Sequence, residues 1–250
     1  MNPLEQFEIN KKQRIESFEA DKKLNQSSMQ FMVDSCFSSY TYNFSWMGVP
    51  IIQYPQDMVI MQELICQIKP DLIIETGVAH GGSLVYYSSI MELIGKGRII
   101  GIDIDIRDHN RNVIENHQMY PRISLIEGSS VDERTVAKVK DLILPSDKNI
   151  IVCLDSMHTH DHVLSELNLY SEFVTPGSYL VVFDTTAGLF DDEILNEMSK
   201  NYKFKPWGKD SNPLTAVQTF IEKNKLFEID KSFHLKAQIT NCYSGFLKRI

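Results

Sequence analysis

Four acidic residues close four apolar runs in this chain. Glu75 follows Leu72 to Ile74, Asp103 follows Arg98 to Ile102, Asp155 follows Asn149 to Leu154, and Asp184 follows Tyr179 to Phe183. A carboxylate at such a point can accept hydrogen bonds from hydroxyls, hold a hard cation or orient a proton carrier. The third is followed at once by histidines, in Asp155-Ser-Met-His-Thr-His-Asp-His162. Imidazole titrates near neutrality, so this run suggests proton transfer or metal binding. His158, His160 and His162 alternate, and the last two fall at a predicted helix start, where residues two apart do not face each other. A three-histidine zinc site from this run alone is therefore disfavoured. The better assignment makes Asp155 a metal ligand and His158 a general base. Asp184, one strand away, supplies a second carboxylate. Two carboxylates with water and a substrate oxygen suit Mg²⁺, which would lower the pKa of a coordinated hydroxyl. His160 and His162 are left to cap the helix or to pair with Asp161.

A second kind of chemistry is written in Glu75-Thr-Gly-Val-Ala-His-Gly-Gly-Ser83. Gly77, Gly81 and Gly82 let the backbone pass close to a ligand and into a helix. The spacing is not GxGxxG. It is nearer the ExGxxxGG(S) loop that binds nucleoside-bearing methyl donors, which marks Glu75, Gly77, Gly81 and Ser83 as candidate cofactor-binding residues. Asp103 lies 26 positions after Gly77. A carboxylate there can accept hydrogen bonds from both hydroxyls of a ribose, as in dinucleotide folds. Asp105 is the second candidate. Arg107, His109 and Arg111 follow, and read equally well as a solvated helix end. In Gly128-Ser-Ser130, Ser130 either hydrogen-bonds an adenine edge or caps the next helix.

These residues need a scaffold that brings strand ends to one rim. From residue 57 the chain alternates between strands and helices. Asp57 is a plausible N-cap for a helix over Met58–Ile68, which Pro70 stops. Strands are predicted at Leu72–Ile74, Arg98–Asp103, Ile123–Ile126, Asn149–Leu154 and Tyr179–Phe183. Helices are predicted at Ser83–Leu93, Asn110–His117, Val131–Leu144 and His160–Phe173. The strands are continuous apolar runs, as expected of strands buried on both faces of a parallel sheet. The fold class is therefore α/β, a doubly wound, mostly parallel sheet. Phe227–Asp230 and Tyr243–Leu247 suggest two final strands, in an antiparallel arrangement. Residues 1–45 form an N-terminal helical extension, in which Phe7, Ile15 and Phe18 share one helix face. Its aromatic stretch from Phe31 to Trp46 is suited to be a lid or a partner surface, and residues 46–250 form the main domain. The segment from Gly188 to Asp210 is placed to cover an acceptor pocket, with Trp207 facing a ring or packing beneath the loop.

The 250 residues are 43% hydrophobic, 23% charged and 10% aromatic, which excludes a disordered or low-complexity chain. The net charge is −8 and the pI about 5.4, with no long basic run, so nucleic-acid or anionic-membrane binding is not expected. Cys36, Cys66, Cys153 and Cys242 form no CxxC pair and read as small hydrophobes in a reducing compartment. No signal-peptide core or membrane-length apolar stretch is seen, so the expected location is cytoplasmic. A helical arm of this kind often packs on a second copy, and a homo-oligomer is expected.

Taken together, the motifs resemble the cephalosporin hydroxylase family, methyltransferase-fold proteins similar to rhamnosyl and macrolide-sugar O-methyltransferases. The carriers include Trp46-x-Gly-x-Pro50, Pro55-x-Asp57, Glu75-x-Gly77, Gly81-Gly82-Ser83, Gly101-Ile-Asp-Ile-Asp-Ile-Arg107 and Glu127-Gly-Ser-Ser130. Further on they include Asp155-Ser-x-His158-Thr-His160-Asp-His162, Gly177 to Thr185, Pro206-Trp-Gly-Lys209, Asn212-Pro213 and Phe227 to Lys231. The resemblance implies a class I S-adenosylmethionine-dependent methyltransferase, Rossmann-like in fold. It implies O-methylation of a hydroxyl on a sugar, a glycan or a small polar natural product. It further implies that Glu75 and the Gly77 loop touch the methionine part, that Asp103 holds the ribose, and that His158 is the general base. Asp155 and an acidic pair closing the fifth strand would bind Mg²⁺.

Here that pair reads Phe183-Asp184, so one ligand is replaced. The ion then binds more weakly, recruits Asp191 or Asp192, or is absent. The family label "hydroxylase" would call for two histidines and a carboxylate converging on iron. No such triad is legible, which favours methyl transfer. A nucleoside-binding subunit without turnover stays open as an alternative. An NAD-linked enzyme is disfavoured by the spacing of the glycine loop.

Overall fold

The computed structural model describes residues 2–201 and 207–250. Two helices, α1 (Pro3–Phe18) and α2 (Lys22–Phe37), lead into a short hairpin of β1 (Phe44–Trp46) and β2 (Val49–Ile51). Then follow α3 (Pro55–Ile68), β3 (Leu72–Thr76), α4 (Gly82–Ile94), β4 (Arg98–Asp103), α5 (Asp108–Glu115), β5 (Ile123–Glu127) and α6 (Glu133–Leu142). The chain continues through β6 (Ile150–Leu154), α7 (His160–Tyr170), β7 (Tyr179–Val182), α8 (Asp192–Met198) and α9 (Pro213–Lys223). It ends with β8 (Phe227–Ile229), α10 (Lys231–Ala237) and β9 (Phe246–Arg249).

The central sheet has seven strands in the order β5-β4-β3-β6-β7-β9-β8. The pairs from β5 to β7 are parallel, and β9 runs antiparallel to both β7 and β8. The strands are apolar throughout because both faces are covered. On β3, Ile73 packs on one side with Leu64, Leu84 and Tyr87, while Leu72 and Ile74 pack on the other with Val163, Leu167 and Val217. Chain order reverses between β3 and β6, which lie side by side. In open α/β sheets this switch point leaves a crevice outside the carboxyl ends of the strands, and ligands bind there.

Several expectations are corrected by packing. Asp57 is not an N-cap: Tyr54 holds that position, and Asp57 sits in the first turn of α3, 1% exposed. It accepts hydrogen bonds from the Thr240 hydroxyl and, at 2.8 Å, from the Asn241 N–H. Burial pushes its carboxyl up to about 7. In α1 the half-buried stripe is Lys11, Ile15 and Phe18, whereas Phe7 is turned outward beneath Arg14. The tail carries more helix than its polar sequence suggested. At the start of α9, Asn212 and Thr215 form a reciprocal capping box around Pro213.

The extension closes over the rim. Met32 of α2 packs with Tyr54, Phe190, Leu195 and Trp207 in a third apolar cluster above the sheet. Among the described residues no helix is long and apolar enough to cross a membrane.

Candidate active site

A cleft of about 560 Å³ opens at the carboxyl ends of β3, β4, β6 and β7. Six of the residues assigned from sequence to catalysis, metal or donor binding line it: Gly77, Asp103, Ser130, Asp155, His158 and Asp184. Glu75, Gly81 and Ser83 do not; they stand behind its wall. Gly81 is the N-cap of α4 and faces Ile114, and the Ser83 hydroxyl donates to Glu75 Oε2 at 2.8 Å. Gly82 is required by protein rather than ligand, since a Cβ there would lie 2.1 Å from the Pro50 carbonyl oxygen of β2.

Gly77 has φ +90°, and a Cβ would fall 1.9 Å from the Asp155 carbonyl oxygen. The reason is the β3–β6 register. Asp155 N–H donates to Thr76 O at 2.9 Å, so the loop leaving β3 crosses directly over the end of β6. The same turn brings the Val78 and Ala79 N–H groups onto Asp103 Oδ2, at 2.8 and 3.1 Å. Asp103 Oδ1 accepts from the Asp105 N–H at 3.1 Å, while the Asp105 side chain is exposed beside Arg107. Asp103 thus clamps the glycine loop and still borders the cleft.

Glu75 belongs to the face of β3 that meets α4, and it is 0% exposed. Burial pushes its carboxyl up to about 8, opposed only in part by the Ser83 hydrogen bond. Its second oxygen, Oε1, is buried with no hydrogen-bond partner among the described residues. An unmatched buried polar atom of this kind calls for a hydrogen-bond partner.

Asp155, His158 and Asp184 converge. One ligand atom from each lies within 4.8 Å of the others, and His158 Nε2 is 3.1 Å from Asp184 Oδ2. Burial, then the Asp184 charge, then Glu75, hold the Asp155 carboxyl well above the usual carboxylate range. Two carboxylates so close repel unless a proton or a cation sits between them. Asp184 adopts φ +56°, a left-handed conformation uncommon outside glycine that turns the chain sharply after β7. Phe183, at the position before it, is buried against the cleft and offers no ligand atom. Asp191 does not replace it: Asp191 caps α8 through the Ile194 N–H, and Asp192 is exposed in the first turn of that helix.

The other histidines take roles the sequence did not specify. His160 Nδ1 meets the Thr215 hydroxyl at 2.7 Å and ties α7 to α9. His162 Nε2 lies 3.1 Å from both Ser130 Oγ and Ser156 Oγ, and 3.5 Å from Glu166 Oε1. Trp207 is buried, lines the cleft and stacks on His158 with centroids 6.1 Å apart and planes 15° apart. Pro206 of the same motif lies outside the described residues. Sequence reading missed Glu166, although a His and a Glu four apart on one helix are a legible pair. It also missed Asn241 and the α2 residues Ser35 and Cys36, which border the cleft from distant parts of the chain.

A seven-stranded sheet in this order, with one reversed strand and an acid-rimmed cleft at its switch point, defines a class I S-adenosylmethionine-dependent methyltransferase fold. The chain belongs to the rhamnosyl O-methyltransferase/CmcI family, whose model matches residues 38–250. It is 30% identical over 142 residues to a rhamnosyl O-methyltransferase of Mycobacterium tuberculosis H37Rv, covering 56% of each protein. To the Mycobacterium leprae rhamnosyl O-methyltransferase it is 29% identical over 151 residues, covering 60% of this chain and 64% of the relative. The match thus spans little more than half the length of these curated relatives. Among solved structures, a CmcI complex with Mg and SAM superposes with TM-score 0.56 at 16% identity, over 84% of this chain and 77% of that one. Apo CmcI gives 0.57 at 17% identity over the same shares. These likenesses show the fold.

Proposed function

We propose that the protein is an S-adenosylmethionine-dependent O-methyltransferase acting on a hydroxyl of a sugar, a glycan or a similar polar natural product. One observation carries this reading. The Asp155–His158–Asp184 cluster, a proton acceptor among carboxylates, shares one cleft with Gly77 and Asp103, the residues suited to a nucleoside donor. The named activity of the mycobacterial relatives supports a rhamnose-bearing acceptor as the first to test.

The cleft volume falls in the range that encloses a molecule of this size, and Glu75 Oε1, behind the cleft wall, is a buried polar atom with no hydrogen-bond partner among the described residues. S-adenosylmethionine brings a methyl group already activated on a sulfonium, so the protein's task is chiefly alignment. Gly77 gives the loop its close approach. Asp103, and Glu75 with Ser83 and Gly81 behind the loop, hold the nucleoside and methionine ends. Ser130 lies at the base. His158 takes the acceptor's hydroxyl proton on Nδ1, while Asp184, 3.1 Å from Nε2, accepts the Nε2–H and steadies the imidazolium that results. Asp155 accepts a hydrogen bond from the acceptor and orients it. Asp155 and Asp184 are also the residues that would hold Mg²⁺, which would polarise the acceptor oxygen at that point. Oxygen donors in a crowded carboxylate pair fit such an ion.

The division of labour proposed for the chain follows. Residues 46–250 carry the chemistry, while residues 1–45 close the acceptor side through α2. The exposed Leu4, Phe7 and Ile9 of α1, a helix with no buried residue, favour packing against a second copy.

The deciding experiment mixes the protein with tritiated-methyl S-adenosylmethionine and rhamnosides, with and without Mg²⁺. Label in the acceptor is expected. Donor binding with no transfer to any glycan fraction would instead favour a nucleoside-binding scaffold. Asp103→Asn is expected to weaken donor binding by roughly 10–100-fold in calorimetry, because an acceptor oxygen facing the ribose becomes an amide while the loop N–H groups keep a partner. Unchanged affinity would remove Asp103 from the donor site.

A further inference from the structure

We propose that Glu166, buried behind the cleft, fixes Ser130 as a hydrogen-bond donor to a ring nitrogen of the methyl donor's purine. The proposal rests on the reading above that the cleft binds S-adenosylmethionine.

Glu166 is 0% exposed and lies one helical turn after His162 on α7. The Ser156 hydroxyl donates to Glu166 Oε1 at 2.7 Å. A hydroxyl carries one hydrogen, so Ser156 has none left for His162 Nε2, which lies 3.1 Å from the Ser156 oxygen. An unprotonated nitrogen at that distance would set one lone pair against another. Nε2 therefore bears the hydrogen. The same atom lies 3.1 Å from Ser130 Oγ, which accepts a share of that N–H.

The hydrogen of Ser130 is then left over. Ser130 is 6% exposed and borders the cleft, and its carbonyl is pinned by the Tyr170 hydroxyl at 2.8 Å. No acceptor for that hydrogen exists among the described residues. A serine standing alone could rotate and serve either as donor or as acceptor. This one has its acceptor side occupied by His162, whose own polarity is set by Glu166 through Ser156. The polar chain thus reaches the cleft with one sign.

Ser130 follows β5, and Asp103, assigned to the ribose above, ends the adjacent β4. A base attached to that ribose lies on the Ser130 side. On a purine the ring nitrogens accept hydrogen bonds and the exocyclic amine donates them. A fixed donor hydroxyl therefore reads a ring nitrogen. Ser130 is the contact residue, and Glu166 and His162 are positioning residues.

The test is calorimetric binding of S-adenosylhomocysteine and its 1-deaza, 3-deaza and 7-deaza analogues, each lacking one ring nitrogen. Wild type is expected to bind one of the three about tenfold more weakly than the parent, the usual worth of one buried hydrogen bond. Ser130→Ala should bind all four alike, and Ser130→Thr should restore the preference. Glu166→Gln can either accept from Ser156 or donate to it, and should reduce the preference to about threefold or less. Long-range proton–nitrogen spectra of the wild-type imidazoles should show His162 protonated at Nε2. Equal binding of all four ligands by wild type, a preference that survives Ser130→Ala, or a bare Nε2 overturns the inference. Failure of wild type to bind the parent compound overturns the proposed function itself, and this inference with it.

Discussion

Replacing His158 with alanine is expected to lower kcat by roughly 10²–10⁴-fold, the range over which a positioned general base acts, and to leave affinity for S-adenosylmethionine almost unchanged. The separation follows from where the side chain stands. His158 is on the loop after β6, facing Asp184 and stacked on Trp207, on the side of the cleft away from the Asp103 clamp. Its loss removes a proton acceptor but no group proposed to hold the donor. Because about a fifth of the side chain is exposed, truncation leaves a solvent-accessible gap rather than a sealed void, and stability should move little. Steady-state kinetics with tritiated donor would give kcat and KM, and calorimetry would give donor affinity. Added imidazole should recover part of the lost rate. A variant as fast as wild type would take His158 out of the mechanism. A loss confined to KM would make it a binding residue.

The second large effect concerns Glu75 and pH. Its carboxyl ordinarily titrates at 4.5 and is pushed by burial to about 8 in the folded protein. Between those values the folded chain keeps a proton that the unfolded chain releases. This contribution to stability is therefore fully present below pH 4.5 and is lost as pH rises through about 8. At ~1.4 kcal/mol per pH unit the whole span amounts to roughly 5 kcal/mol. Thermal melts of the ligand-free protein should show the midpoint falling from about pH 5 to about pH 9, by roughly 2–4 °C for each kcal/mol. Glu75→Gln cannot ionise, so its share of that decline should disappear, most visibly between about pH 7 and 8, and the variant should outlast wild type at alkaline pH. Below about pH 7 a slope of similar steepness should remain, because Asp57 is raised from 3.8 to about 7 by burial and acts in the same direction. Parallel melting curves for the two proteins across this range would show that Glu75 is not the titrating group.

What the sequence made legible was set by local physics. The strand at Arg98–Asp103 is read to the residue, because a parallel strand covered on both faces must be apolar end to end. The carboxylates closing β4, β6 and β7 then reach one rim by topology alone, and five of the residues marked for chemistry meet in the cleft with Ser130. Long-range partners were not legible. Nothing near Asp57 announces Thr240 and Asn241, which complete its shell from far along the chain. Gly81 and Gly82 looked like ligand-facing residues because a close approach by protein and by ligand requires the same absence of a side chain. The β1–β2 hairpin read as mere punctuation, since its turn puts Met47, an unusual residue for positive φ, beside Gly48.

The crossing of Gly77 over the Asp155 carbonyl has a consequence for how this scaffold can change. The two strand ends are interlocked, so a shift on either side is felt on the other, and there is little room for variation at that joint. The residues above the rim are hung differently. Ser35, Cys36 and Ser39 arrive from the N-terminal arm, and Ala187, Phe190 and Met198 from the segment after β7. Neither group is threaded through the joint. A repertoire of acceptors can therefore be explored, by natural drift or by grafting, through these two overhanging segments while the apparatus beneath them is inherited intact.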